Sequence, residues 1–403
     1  MKIYVVTTGD EILQGIIIDS NSAWISEKCA LLGHEVAGHI SVGDNLQEIG
    51  RALRYAASQA DCIIVSGGLG PTSDDLTLEA AAQEFHVKLK LHQPTYEKIN
   101  NFFEKIGRPI AQTNRKQALI PEHGKPLYND VGTAPGIQVN WDEKEFFFLP
   151  GVPIELYQIF EDSVFPWLKQ KAKTQQAIKI LRCFGLPEAT IAEKIEKIDL
   201  FESRLSFRVK FPEILLKLIA NNQQAVEKAA NSIKEQLGNV VYAEGNDELA
   251  SVVGRLLVEK SINLAVAESC TGGLLSSLLT DVAGSSKYFE RGVVTYSNTS
   301  KQEILKVPSQ TIADFGAVSK ETALAMAQAM LNLSNTDLAI SVTGIAGPSG
   351  GTEQKPVGLI FMAYATKLEA QVFEHKFQGN RERIKLMTAM TAIDMVRKYL
   401  LRG

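Results

Sequence analysis

Short apolar runs alternate with amphipathic stretches along the first 170 residues. Residues 2–7 (KIYVVT) form a β-branched run that predicts a strand. Residues 20–32 carry helical spacing and stop at Gly33, and 36–42 read as a strand. A helix is predicted over 45–59, and a strand over 62–65 runs into the glycine-rich turn 66–71. Residues 76–85 are helical, 146–149 form an apolar strand, and Pro150-Gly151-Val152-Pro153 breaks the chain before a further helix. This β-α-β-α rhythm predicts a parallel sheet with helices on both faces.

The pattern changes after a polar stretch at 169–176 (KQKAKTQQ), which reads as a linker. Strands are predicted at 178–184, 205–211, 213–220 and 240–243, with helices at 188–198 and 223–237. A βαββαβ order fits a small α+β module of the split-βαβ kind. It holds no cluster of reactive residues and reads as a spacer or dimerisation module. Gly245-Asn246-Asp247 opens a third segment, with strands at 262–267, 292–296, 338–342, 358–364 and 371–377. Its helices are predicted at 249–260, 272–282, 320–333 and 381–399. The expected fold is therefore α/β: two α/β layered domains, 1–168 and 245–403, joined by a small α+β (βαββαβ) module at 169–244.

Composition narrows the function classes. The 403 residues are 45% apolar and 22% charged, which excludes a disordered or fibrous chain. A net charge of −4 disfavours a general nucleic-acid binder, and no reading helix, aromatic platform or basic face points to specific nucleic-acid recognition. The N-terminus is not of signal-peptide type, and no apolar run is long enough to span a membrane. Cys29, Cys62, Cys183 and Cys270 form no CxxC pair and read as buried hydrophobes in a reducing compartment. A cytoplasmic location is expected.

The third segment carries the densest candidate chemistry. Glu268-Ser269-Cys270-Thr271-Gly272-Gly273 lies between a buried strand and a helix, where free backbone N–H groups can hold an anion or oxyanion. Ser269 and Thr271 add hydroxyls, and Gly272 and Gly273 admit a ligand close to the backbone; equally, these residues could cap and pack the helix. A serine nucleophile needs a base. His375 lies mid-strand, so a lysine with lowered pKa is the better source, from Lys287, Lys301 or Lys306. Lys301 follows the polar cluster Thr295-Tyr296-Ser297-Asn298 and could reach the same sheet edge. Cys270 is a rival nucleophile. A second glycine-rich turn, Thr343-Gly344-Ile345-Ala346-Gly347, could form an anion nest, and Arg381 opens the last helix at the same edge. Three such motifs favour a small phosphorylated ligand. No P-loop is present.

The motifs AVAESCTGG, AGSSKYFERGVVTYSNTSK, GAVS, SVTGIAGPSGG and KPVG closely resemble the nicotinamide-nucleotide amidohydrolase domain of the CinA-like (competence/damage-inducible) family, across nearly all of 245–403. The resemblance implies metal-free hydrolysis of nicotinamide mononucleotide to nicotinic acid mononucleotide and ammonia. It implies Ser269 as nucleophile, Lys301 as base, Tyr296 as a third catalytic residue and Arg381 as a substrate ligand. Thr271, Gly272, Gly273, Thr343, Gly344 and Gly347 would line the substrate site.

In the first segment, Gly67, Gly68, Gly70 and Thr72 form a strand-to-helix turn suited to phosphate, followed by Asp74 and Asp75. Carboxylates repel phosphate unless a divalent cation intervenes, so Asp44, Asp74 and Asp75 suggest Mg²⁺-type ligation; alternatively they complement a helix dipole. The motifs TGDEILQG, VGDN, SGGLGPTSDDLT, NDVGTAPG and LPGVP resemble the molybdopterin-binding fold and, more closely, the N-terminal domain of the same family. That resemblance implies metal-dependent pyrophosphate cleavage of ADP-ribose, and a homodimer. Two rival readings are a molybdenum-cofactor protein and a non-catalytic interaction protein linked to competence or DNA damage.

Overall fold

Seven residues at the start of the chain, Lys2–Thr8, form β1, and its side chains alternate between two cores. The computed structural model describes residues 1–172 and 176–402 and divides into two compact units, Met1–Gln176 and Ala177–Gly403. In the first unit β2 (Glu35–Val42), β3 (Cys62–Ser66), β4 (Leu89–Leu91), β5 (Leu119–Pro121), β6 (Lys125–Leu127), β7 (Gly136–Trp141) and β8 (Lys144–Leu149) follow β1. The main sheet has the order β2-β1-β3-β8-β7-β6, and β4 and β5 pair separately. Tyr4, Val6, Ile63, Val65, Phe146 and Phe148 face the helices Leu46–Gln59 and Thr77–Glu84. Ile3, Val5, Cys62, Ile64, Phe147 and Leu149 face the other side, towards Ser20–Leu31 and Pro153–Ile159. That two-step alternation of wholly apolar positions is what a sheet covered on both faces requires.

The sheet is parallel only from β2 to β8; β7 and β6 are antiparallel. Here the chain departs from the purely parallel expectation. β7 and β8 join through Asp142 and Glu143, both at positive φ (48° and 63°), a two-residue hairpin turn without the usual glycine. The expected linker partly belongs to the helix Phe165–Lys171, and 173–175 lie outside the described residues.

The second unit holds two sheets. β9 (Ala177–Cys183), β10 (Arg204–Lys210), β11 (Glu213–Ala220) and β12 (Val241–Glu244) form the expected small antiparallel sheet, in the order β10-β11-β9-β12. β13 (Leu264–Glu268), β14 (Phe289–Val294), β15 (Leu338–Gly344), β16 (Leu359–Thr366) and β17 (Ala370–Lys376) form the other, in the order β14-β13-β15-β16-β17. β14, β13 and β15 are parallel, and β16 and β17 antiparallel. Leu249–Glu259, Leu274–Thr280 and Arg381–Leu400 cover one face, and Lys320–Ser334 the other. Phe184 and Tyr242 of the small module pack into the core of this larger layer, so no break in packing falls at residue 244. Among the described residues no helix is long and apolar enough to cross a membrane.

Candidate active site

β13 is buried throughout, and Ser269 emerges at its carboxyl end, buried beside Lys301. Lys301 lies on a helix that the sequence pattern did not predict, Asn298–Leu305, capped by the Ser297 hydroxyl. Its side chain is 1% exposed, and its Nζ stands 3.0 Å from Ser269 Oγ. The same Nζ donates to the carbonyls of Thr295 at 2.7 Å and Tyr296 at 3.3 Å. Burial lowers the Lys301 pKa from 10.5 to about 8. A neutral amine has two hydrogens and one lone pair. With both hydrogens on carbonyls, the lone pair is left for the serine O–H. Lys287 and Lys306 are both exposed and supply no such amine.

The turn that carries Ser269 is held from below. Glu268 is wholly buried, and its carboxylate accepts from the amides of Gly273 (2.9 Å), Leu275 (3.2 Å) and Ser276 (2.9 Å) and from the Ser276 hydroxyl (2.6 Å). It acts as an N-terminal cap for the helix Leu274–Thr280 from outside the usual cap position. Gly272 N donates to Ser269 O. The amides of Gly272 and Gly273, expected as anion donors, are therefore committed within the turn, and the donors left beside Ser269 are those of Cys270 and Thr271. Gly272 and Gly273 still take positive φ, 61° and 95°, which favours glycine. Thr271 Oγ1 is buried without a hydrogen-bond partner. The Cys270 thiol is pushed up to about 12 by burial, which leaves it protonated and a poor nucleophile.

Arg381 donates to Gly347 O at 2.8 Å and to the Tyr296 hydroxyl at 2.9 Å, so it joins two loops at the carboxyl edge. Thr343 and Gly344 serve packing instead. The Thr343 hydroxyl donates to Ala317 O at 2.7 Å, and a Cβ on Gly344 would fall 2.3 Å from Ile360 Cδ1. One cation was missed in the sequence: Lys385 Nζ would lie 3.6 Å from a Cβ on Gly272, one helical turn beyond Arg381.

In the first unit a cavity of about 630 Å³ opens at the carboxyl ends of β1, β3 and β8, lined by Gly67, Gly68, Gly70, Thr72, Asp44, Asp74 and Asp75 among others. Gly67 and Gly68 have φ of 106° and 65°; a Cβ would lie 2.4 Å from Thr8 O in the first and 2.1 Å from Thr77 Oγ1 in the second. Asn21 donates to Ser66 Oγ and Gly151 O, while its buried Oδ1 has no partner. Asp44 and Asp10 exchange backbone-to-carboxylate bonds at 3.1 Å. Burial, then the charges of Asp10, Glu11 and Asp74, raises the Asp44 pKa. Asp75 accepts from Thr72 N at 2.8 Å and Thr72 Oγ1 at 2.6 Å, so this pair pins the turn. Asp44, Asp74 and Asp75 thus share one cavity, but among the described residues no group of three or more acidic, His or Cys side chains is gathered for a metal ion. Glu155, which also lines the cavity, went unnoticed in the sequence; burial raises its pKa, and Asn129 Nδ2 donates to it at 2.5 Å.

A family model described as "CinA C-terminal domain" matches residues 246–400. A "Probable molybdopterin binding domain" model matches residues 4–170. A CinA-like protein of Citrifermentans bemidjiense is 40% identical over 405 residues, covering 100% of this chain and 98% of the relative. The chain belongs to the CinA-like family. A CinA-like protein of Geobacter sulfurreducens is also 40% identical, over 411 residues and the full length of both chains. Among solved structures, CinA from Thermoplasma acidophilum is 35% identical, with a TM-score of 0.38, covering 40% of this chain and 94% of that chain.

Proposed function

We propose that the second unit of this CinA-like chain hydrolyses the carboxamide of nicotinamide mononucleotide to nicotinic acid mononucleotide and ammonia. The observation that carries this reading is the buried Lys301 amine 3.0 Å from Ser269 Oγ. Neutral Lys301 takes the serine proton as Ser269 Oγ attacks the carboxamide carbon. The Cys270 and Thr271 amides stabilise the oxyanion, each donor contributing about 3–4 kcal/mol. The lysine proton passes to the departing ammonia, leaving an ester on Ser269. Water, deprotonated by the same amine, then cleaves the ester. Arg381 and Lys385 supply positive charge for the 5′-phosphate, and Tyr296 holds Arg381 in place.

For the first unit we infer metal-dependent cleavage of the pyrophosphate of ADP-ribose. The position of the cavity and the glycine turn, whose backbone leaves no room for a Cβ, support a phosphorylated ligand there. The protein side chains alone gather no metal site among the described residues, so a divalent cation such as Mg²⁺ would be held by Asp44 and Asp74 only together with the diphosphate oxygens and water, its charge offsetting the repulsion between them. Asp75 keeps the Gly70–Thr72 turn in shape.

The test incubates the full chain with nicotinamide mononucleotide and, separately, with ADP-ribose and Mg²⁺. Ser269→Ala abolishes ammonia release and spares ADP-ribose cleavage; Asp44→Ala does the reverse. Ammonia release that survives Ser269→Ala overturns the first assignment. ADP-ribose cleavage that survives both Asp44→Ala and removal of metal overturns the second.

A further inference from the structure

The small module touches the first turn of the last helix, which also carries Arg381. The β10–β11 hairpin turns at Phe211 and Pro212, and the Phe211 ring centre lies 4.0 Å from the guanidinium carbon of Arg383. Arg383 stands in the first turn of the last helix, two residues after Arg381. Its backbone N–H donates to Asn380 Oδ1 at 2.9 Å. Its side chain also lies across Gly379, where an added Cβ would come within 3.2 Å of Arg383 Cβ. Gly379 has φ of 124°, so the chain enters this helix through a residue with unusual backbone freedom. First turns lack the full set of helical hydrogen bonds and fray unless something holds them. One ionic tie of the hairpin tip, Lys210 to Glu248 at 3.4 Å, is exposed on both sides and contributes little. The ring stack is therefore the contact best placed to immobilise this turn.

We propose that Phe211 is a positioning residue for Arg381. By stacking on Arg383 it fixes the start of the last helix, so that Arg381 keeps its bonds to Gly347 O and Tyr296 Oη and presents its remaining N–H groups to a substrate phosphate. The inference rests on the amidase reading for its substrate, and on geometry alone for the brace. It gives the small module a role in substrate affinity in place of a spacer.

The test compares steady-state kinetics of the full chain on nicotinamide mononucleotide and on nicotinamide riboside, which lacks the phosphate. Phe211→Ala raises KM for the mononucleotide about three- to tenfold, leaves kcat near the parent value and leaves the riboside parameters unchanged. Phe211→Trp, which keeps a ring over Arg383, restores KM. An unchanged KM in Phe211→Ala, or an equal change on both substrates, overturns the proposal. Titration with inorganic phosphate separates the two ideas. If the parent protein releases no ammonia, the amidase reading falls, while weaker phosphate binding by Phe211→Ala still upholds the brace. Equal phosphate binding by parent and variant overturns it.

Discussion

Lys301 Nζ lies 3.0 Å from Ser269 Oγ while its hydrogens go to the carbonyls of Thr295 and Tyr296. Those carbonyls are set by one further bond: Thr295 N donates to Glu268 O at 2.8 Å, which locks the loop after β14 to the end of β13. The amine and the hydroxyl are thus referenced to the same strand.

Because burial brings the Lys301 pKa down to about 8, the amidase rate follows the neutral amine. kcat/KM on nicotinamide mononucleotide rises tenfold per unit as pH increases below about 8, and levels off above it. A pH–rate profile checks this, and a profile flat from pH 6 to 9 contradicts lysine as the base. Lys301→Arg, which stays protonated throughout, loses activity at every pH.

Lys301 is also a strained choice for stability. Below about pH 8 the amine is protonated in the folded and unfolded chain alike, and the penalty of burying it is present in full. Between about 8 and 10.5 only the unfolded chain binds the proton, so stability from this group rises with pH, and above 10.5 the penalty is gone. Lys301→Met therefore stabilises the second unit by up to about 3 kcal/mol at pH 7 and by much less near pH 10.5, while abolishing activity. Urea melts at the two pH values measure the difference.

The Cys270 thiol, pushed up to about 12, takes no part in attack. Cys270→Ala retains ammonia release within about threefold, whereas Ser269→Ala loses at least about a thousandfold. The reverse ranking in an ammonia assay would make the cysteine the nucleophile.

Glu268 satisfies three helix amides and one hydroxyl in a dry site. Glu268→Ala leaves those donors unpaired and destabilises the second unit by about 3 kcal/mol or more. Glu268→Gln keeps the volume but sets an NH₂ group against amide donors, and it lowers kcat by about tenfold or more with a smaller loss of stability. Thermal melts and kcat on the two variants check the pair.

In the first unit, Gly67→Ala forces a Cβ to 2.4 Å from a backbone carbonyl at a φ of 106°. The turn cannot keep its shape, so the variant loses ADP-ribose cleavage and lowers the melting temperature. Gly15→Ala is the control, since an added Cβ there meets nothing within 4 Å although φ is again positive. A Gly67→Ala variant no worse than Gly15→Ala would remove the turn from the site.

Much of the fold was legible because its central strands carry apolar runs and the turns that follow them are rich in glycine. β1, β3, β13 and β15 stand close to where the runs of β-branched residues put them. The antiparallel strand β7 beside β8 was hidden, because the hairpin turn between them uses Asp142 and Glu143 where glycine or asparagine would have signalled it. The Asn298–Leu305 helix was hidden because its buried positions, Lys301 and Leu305, include a charged residue that no hydrophobic pattern counts. The buried capping role of Glu268, named in the motif but given no part, was hidden for the same reason: a carboxylate after an apolar run reads as the return to solvent.

The residues proposed to carry the chemistry, from Ser269 to Arg381, were candidates by their place at strand ends, where capping and packing explained the hydroxyls and glycines equally well, and the family resemblance gave them their roles. Which lysine of three meets the serine, which glycine amides are committed within their own turn, and that Phe211 of the small module stands against the last helix were decided only in three dimensions. Backbone preference and hydrophobic period act over a few residues, and a short stretch of sequence records them. Desolvation of an amine, and the meeting of side chains 32 or more positions apart, depend on what the rest of the chain packs around them.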